Sequence, residues 1–301
     1  MTTTNLTIGT YTPSFLIELA RREGRLADAG INLFEAQVSS SPQQFRSLRD
    51  GEYDVIFTNP DNVVAYQFVD DNPLGERMAL RVLAGIDRGL GLGLYRGAHV
   101  DPGALEVRLG VDVATSGFAF IAYEILAREG FDLSRVSVTS LGATPLRADA
   151  LVEGRCDYTV INAGNEQRPR AHGCTLVASV ESIGPYLGTV LATRADLDAD
   201  VAAAVERLRD VLEGVVTEVL AGGRDHDVVQ AVTSRLGIDE GGARSHLEVI
   251  KDPVRGLVAG LGVDRASIAT VVGLRRRHLP SDGVDHVLDV LDSFIDAAAL
   301  R

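Results

Sequence analysis

Small polar side chains lie directly after five predicted β-strands, where they could bind an anion or another polar group. Most of them are Ser, Thr or Asn, and each group lies at the start of a predicted helix. Free backbone N–H groups and the positive end of the helix dipole collect there, which suits carboxylate, sulfonate and phosphate groups. The same residue types are the preferred helix caps, so capping alone explains any single group. Five groups converging from two units favour a ligand cleft; they span 10–14, 39–41, 58–62, 114–117 and 162–165.

Three carboxylates and one arginine are candidates for chemistry in such a cleft. Asp61, Asp87 and Glu166 could act as a general base if burial raised the pKa of one of them. Arg147 could pair with an acidic ligand, because a guanidinium binds a carboxylate at two points. Each has a structural alternative: Asp61 as a helix cap, and the other three as solvated or ion-paired side chains.

The sequence predicts neither a metal nor an organic cofactor. Cys156 and Cys174 lack the spacing of a zinc site, and we expect two free thiols that pack as small buried groups. No cluster of His, Cys and carboxylate residues has metal-ligand spacing. The glycines at 89, 91 and 93 do not form the G-x-G-x-x-G motif that opens a helix in dinucleotide-binding folds.

Composition and charge exclude several classes of function. With 29 Lys and Arg residues against 42 Asp and Glu, the 301-residue chain carries a formal net charge of −13, which disfavours nucleic acid as a partner. No apolar stretch is long enough to span a membrane. The first residues show no export signal, so the sequence as it stands predicts a cytoplasmic protein. A periplasmic or extracellular location is expected only if a leader has been removed.

Strand and helix patterns alternate along the chain, which predicts an α/β fold with mainly parallel sheets. Residues 6–67 and 108–171 share one plan of strand, capped helix, strand, capped helix, then a Gly-x-x-Asp turn and a strand. The turns are Gly51-Glu-Tyr-Asp54 and Gly154-Arg-Cys-Asp157. Two similar α/β units that face each other across a cleft are the simplest arrangement, and from residue 196 onward the pattern is almost wholly helical.

Three segments carry a resemblance to a known family. They are Leu6-Thr-Ile-Gly-Thr-Tyr-Thr-Pro13, Leu48-Arg-Asp-Gly-Glu-Tyr-Asp54 and Leu151-Val-Glu-Gly-Arg-Cys-Asp157. In order and spacing, the chain resembles type 2 periplasmic substrate-binding proteins over about residues 1–215. Within them it is most similar to the nitrate/sulfonate/taurine and thiamine-pyrimidine-precursor branch of ABC-transporter binding proteins.

The resemblance implies a two-lobe clamshell with a helical C-terminal region. Lobe one would hold residues 1–95 and 191–301, and lobe two residues 96–190, with the ligand between them. The implied ligand is a small polar molecule, anionic or heteroaromatic, and an ABC permease would be a partner if the protein is exported. The implied ligand contacts, with Arg147 added from its own chemistry, are Tyr11, Thr12, Ser40, Ser41, Asn59, Asn62, Thr115, Ser116, Asn162 and Asn165, with Tyr186 as a wall.

The resemblance also leaves an enzyme open, because the same fold hosts enzymes and function must be argued from the site. The alternative is a cytoplasmic, cofactor-free lyase, decarboxylase or hydrolase of a small acid that uses Asp61, Asp87 or Glu166. The missing export signal favours this alternative. The small number of catalytic side chains predicted in the cleft favours the binding protein.

Overall fold

The computed structural model describes residues 3–101, 103 and 106–301. The first sheet has the order β2-β1-β3-β10-β4, in which β1, β2 and β3 are parallel and β10 is antiparallel to both of its neighbours. Its strands are β1 (Thr4–Thr10), β2 (Ile31–Gln37), β3 (Val55–Thr58), β4 (Leu80–Asp87) and β10 (Thr189–Arg194).

The second sheet repeats this topology with the order β7-β6-β8-β5-β9. Here β6 is parallel to β7 and β8, and β5 is antiparallel to both β8 and β9. Its strands are β5 (Gly93–Arg96), β6 (Val107–Val111), β7 (Val136–Ser140), β8 (Tyr158–Ile161) and β9 (Thr175–Ser179). The chain therefore crosses between the sheets twice, between β4 and β5 and between β9 and β10. The division at 95/96 and 190/191 stays a prediction, although strand pairing places all of β5 in the second sheet and all of β10 in the first.

Helices flank both sheets and follow the strands in the predicted alternation. They are α1 (Phe15–Arg22), α2 (Arg25–Asp28), α3 (Ser41–Arg49), α4 (Pro60–Phe68), α5 (Gly117–Arg128), α6 (Thr144–Val152), α7 (Gln167–Ala171), α8 (Ala199–Ala221), α9 (Asp225–Leu236), α10 (Glu240–Lys251) and α11 (Arg265–His278). The helical C-terminal region ends at α11, because residues 279–301 form only short 3₁₀ turns. Val284, Val287, Leu291 and Phe294 of this segment are buried against the first sheet.

Capping serines set the start of three of these helices; the caps of α3 and α5 lie where the sequence predicts them, whereas Thr12 or Tyr11 was expected to cap α1. The Ser14, Ser40 and Ser116 hydroxyls accept the backbone N–H three residues on, at 3.4, 3.4 and 3.3 Å. These bonds satisfy N–H groups that the helix leaves unpaired. The first turns of α1, α3 and α5 are thereby fixed at the ends of β1, β2 and β6.

The hydrophobic core has a separate cluster on each face of the first sheet and further clusters around the second. Helices α1, α8 and α9 cover one face of the first sheet, and α3, α4 and α11 cover the other. Val271 and Leu274 of α11 also pack with α5 and the second sheet, so α11 contacts both units. Cys156 and Cys174 are free thiols in a small buried cluster, as expected, and burial raises the pKa of Cys156 to about 11.

Candidate functional site

A cavity of about 120 Å³ lies between the two sheets. It is slightly smaller than the ~150 Å³ apolar cavity that holds a benzene molecule in a well-studied engineered protein. Loops after β1, β3, β6 and β8 line it, together with both crossing segments and residues of α9 and α10. In open parallel sheets, ligands bind beyond the carboxyl ends of the strands, which is where this cavity lies.

Eight of the predicted site residues line this cavity. Phe15, Leu16, Phe57, Leu90 and Phe118 add apolar surface to it. The cavity wall therefore combines apolar surface with a few polar groups, as ligand pockets commonly do. The eight predicted residues are Tyr11, Thr12, Asn59, Asn62, Asp87, Ser116, Arg147 and Asn162.

The asparagine amides at the cavity hold loops in place. Asn59 Nδ2 donates to the Tyr186 hydroxyl at 2.8 Å and to the Gly188 carbonyl at 3.1 Å. Asn162 Nδ2 donates to the Gly89 carbonyl at 3.0 Å. Both asparagines thereby tie a strand end to a crossing segment, so their donors are already used inside the protein.

Seven predicted site residues are not among those that line the cavity: Ser40, Ser41, Asp61, Thr115, Asn165, Glu166 and Tyr186. Tyr186 lies behind the wall, buried in the core of the second unit, where it accepts the bond from Asn59. Glu166 is buried outside the wall, and desolvation raises its pKa. Ser40 caps α3, and the other four make contacts within or between the two units.

Asp61 forms a buried ion pair and is therefore unsuited to act as a general base. Its two carboxylate oxygens each accept a hydrogen bond from Arg275 at 2.7 Å, and both side chains are 2% exposed. The Arg275 guanidinium also donates to the Thr115 carbonyl at 3.1 Å and lies 5.0 Å from the centroid of the Phe120 ring. This pair joins α4 and α11 to the loop before α5.

Hydrogen bonds join the two units beside the cavity. The Ser41 N–H donates to Asp112 Oδ2 at 3.2 Å, the Ala143 N–H to the Ser39 carbonyl at 3.0 Å, and Asn165 Nδ2 to Thr12 Oγ1 at 3.2 Å. Each bond connects a loop of one sheet to a loop of the other. These bonds hold the two units in contact beside the cavity.

Asp87 is the predicted carboxylate that the structure places in the cavity wall. It ends β4 and is 3% exposed. Burial raises its pKa to about 6, against the opposing effect of hydrogen bonds from the Thr189 side chain and the Gly89 N–H, the latter at 2.7 Å. A carboxyl group with that pKa is partly protonated in mildly acidic solution and could transfer a proton near neutrality.

Sequence reasoning missed His246, which reaches the cavity from α10. It is 1% exposed and its Nδ1 atom has no hydrogen-bond partner among the described residues. Desolvation lowers its pKa to about 4, so the imidazole is neutral at pH 7. The helical pattern of 240–251 gave no sign of this role, because only the packing of α10 against α9 brings the ring to the cavity.

The His246→Gln substitution is expected to reduce the acid sensitivity of the fold. Unfolded His246 takes up a proton below its ordinary pKa of 6.5, whereas the folded side chain stays neutral down to about pH 4. Its contribution to stability is therefore complete above pH 6.5 and is lost as the pH falls toward 4, by about 3 kcal/mol. Relative to wild type, the variant should gain this amount between pH 7 and pH 4.

Urea unfolding at pH 7, 5.5 and 4 measures the difference. The opposite titration of Asp87 is present in both proteins and cancels in the comparison. His286→Gln is the matched control, since this histidine is 83% exposed. A difference between wild type and His246→Gln that does not vary with pH would contradict the prediction.

Solved structures with the same arrangement identify the fold. The chain superimposes on the periplasmic nitrate-binding protein NrtA of Synechocystis PCC 6803 with a TM-score of 0.77 at 11% identity, covering 98% of this chain and 86% of that one. It superimposes on the alkanesulfonate-binding protein SsuA of Xanthomonas axonopodis pv. citri, bound to MOPS, with a TM-score of 0.72 at 14% identity over 100% and 99% of the two chains. The chain has the periplasmic-binding-protein fold.

The fold extends beyond bacterial proteins. A Candida albicans gene product, described as defining a new family with the generic periplasmic binding protein structural fold, matches with a TM-score of 0.74 at 13% identity over 99% and 98% of the two chains. No family model matches the chain, and no curated protein matches it in sequence. The fold predicted from the resemblance is confirmed. In the described part of the chain, no helix is long and apolar enough to cross a bilayer.

Proposed function

We propose that this protein binds a small molecule in the cavity between its two sheets. The observation that carries the proposal is a cavity lined from both units and bordered by hydrogen bonds that exist only when the units are closed. Such contacts favour the closed form, and a ligand that touches both units adds to them. The structural neighbours include binding proteins for nitrate and for alkanesulfonates, which supports a binding role.

The size and lining of the cavity support a compact ligand. The volume of about 120 Å³ suits a molecule about the size of a single ring. Phe118 and Phe57 supply apolar contact, and Thr12 and Thr189 supply hydroxyl groups. Of the ligand classes expected from the sequence, a heteroaromatic compound matches these walls. If the protein is exported, an ABC permease is the expected partner.

A second candidate function, cofactor-free catalysis, rests on Asp87. A buried carboxyl group with a pKa of about 6 in the wall of a cavity is suited to proton transfer. Of the three carboxylates predicted for this role, Asp61 is held by Arg275 and Glu166 is outside the cavity wall. The alternative therefore depends on Asp87 alone among them.

The Thr12→Trp substitution tests the proposed function. Thr12 lines the cavity, and an indole there would fill it. A thermal-shift screen of wild type against single-ring acids, amines and pyrimidines should find compounds that raise the melting temperature, and Thr12→Trp should abolish every such shift. Thr139→Trp on the exposed strand β7 is the matched control and should keep them.

Two outcomes would decide against binding in this cavity. One is a screen without any stabilising compound, and the other is a set of shifts that survives in Thr12→Trp. Mass spectrometry of each compound after long incubation separates the two candidate functions. Recovery of the unchanged compound supports a binding protein, and its conversion by wild type but not by Asp87→Asn supports catalysis.

A further inference from the structure

The helix N-terminus predicted to bind an anionic ligand already carries a carboxylate from the protein itself. Ser41 lies in the first turn of the nine-residue helix α3, and its N–H donates to Asp112 Oδ2 at 3.2 Å. Ser41 belongs to the first unit and Asp112 follows β6 of the second. Both residues are buried, at 1% and 7% exposure. In the closed form, an anionic ligand would have to displace Asp112 from this position.

One buried oxygen atom of a residue that lines the cavity remains unpaired. Asp112 lines the cavity, and its Oδ1 atom is buried and has no hydrogen-bond partner among the described residues. An unpaired buried oxygen costs free energy that a ligand donor can recover. Carboxylate oxygens only accept hydrogen bonds. The available chemistry of Asp112 therefore calls for a donor group on the ligand.

Arg147 also lines the cavity, but most of its hydrogen-bond donors are already used, and the Asp112 carboxylate opposes its positive charge. Its guanidinium donates to Thr159 Oγ1 at 3.2 Å, to the Gly142 carbonyl at 2.7 Å, and to Thr144 Oγ1 and the Val160 carbonyl at 3.1 Å each. These bonds use four of its five N–H donors on neutral acceptors inside the second unit. Among the described residues that line the cavity, Asp87 and Asp112 are the two with carboxyl groups, and both carry negative charge when ionised, whereas the His246 imidazole is neutral at pH 7.

We propose that Asp112 makes the cavity selective for a small planar ligand that donates hydrogen bonds, such as a ring with an amino or amidinium group, and selects against carboxylates and sulfonates. The proposal rests on the proposed function of the same cavity and specifies its ligand class. It assigns Asp112 the role of a specificity-determining residue. The negative charge that an anionic ligand would bring to α3 comes instead from the chain.

Benzamidine and benzoate test this preference, because they share a planar shape and differ in charge. Isothermal titration of wild type at pH 7 should give at least about tenfold tighter binding for benzamidine than for benzoate. Asp112→Asn keeps the shape but removes the charge and turns an acceptor into a donor. In this variant, the preference should fall by about tenfold or more, with benzoate gaining affinity. Asp71→Asn, at an exposed turn, is the control and should leave the preference unchanged.

The outcomes separate this proposal from the proposed function. Equal binding of the two probes to wild type, tighter binding of benzoate, or binding of neither probe overturns the role of Asp112. So does a folded Asp112→Asn variant that keeps the wild-type preference. In each of these cases, binding in the cavity would still be supported by compounds that raise the melting temperature of wild type but not that of Thr12→Trp. The wild-type comparison needs no variant, so poor folding of Asp112→Asn does not remove the test.

Discussion

The Arg275→Met substitution is expected to lower the free energy of unfolding by about 3–5 kcal/mol. It leaves the Asp61 carboxylate, 2% exposed and held by two hydrogen bonds of 2.7 Å, without a partner in the interior. An isolated buried charge costs far more than its ion pair gained. The loss should also weaken the attachment of α11 to the loop before α5, because Arg275 donates to the Thr115 carbonyl.

Thermal and urea unfolding monitored by circular dichroism measure this loss. Arg244→Ala is the matched control: its ion pair with Glu240 is exposed at 64% and 67%, and its removal should cost less than about 1 kcal/mol. The double variant Asp61→Asn, Arg275→Met should recover part of the loss, since no charge is then left buried. A loss below about 1 kcal/mol for Arg275→Met would show that the buried pair contributes little.

The Gly117→Ala substitution is expected to weaken ligand binding by about 10- to 100-fold. Gly117 begins α5 in the second unit, and a Cβ atom there would lie 2.5 Å from Asn59 Oδ1 and 2.6 Å from Asp61 Cβ in the first. Neither neighbour can move freely, because Asn59 is bonded to Tyr186 and Asp61 to Arg275. Overpacking of this kind costs about 1–3 kcal/mol. Here that cost opposes contact between the two units, so it lowers the affinity for a ligand that touches both of them.

Titration with any compound from the thermal-shift screen measures the loss, and small-angle scattering reports whether the units stay apart. Gly273→Ala on α11 is the control, because a Cβ atom there meets nothing within 4 Å. The control should retain wild-type affinity and radius of gyration. Unchanged affinity in Gly117→Ala would mean that contact between these two loops is not required for binding.

Local sequence patterns predicted much of the architecture. The alternation of strands and capped helices, and the repeated Gly-x-x-Asp turn before β3 and β8, predicted two similar units, and both sheets have the same strand order. These features were predictable from the sequence because periodicity, helix capping and turn chemistry act over a few residues. For the same reason, the capping roles of Ser40 and Ser116 were predictable from the sequence.

The composition of the cavity wall was predictable only where it lies at strand ends. Tyr11, Thr12 and Asn162 were expected there, because the parallel strands they follow end on one side of each sheet. The sequence did not predict a role for His246, which lines the cavity from α10, or for Asp112, which lies in the loop after β6. The roles of His246 and Asp112 depend on contacts with distant parts of the chain.

The sequence by itself determined the α/β class, the two-unit plan and the segments that approach the cleft, because these depend on neighbours in the chain. Only the tertiary structure decided which polar groups remain available at the cavity. Asp61 is held in an ion pair with Arg275, 214 residues away. Asp112 is placed against Ser41, 71 residues away, by the closure of the two units. A charged or polar side chain has no fixed role until its partner is known, since the cost of burial and the strength of each bond depend on where the rest of the chain packs.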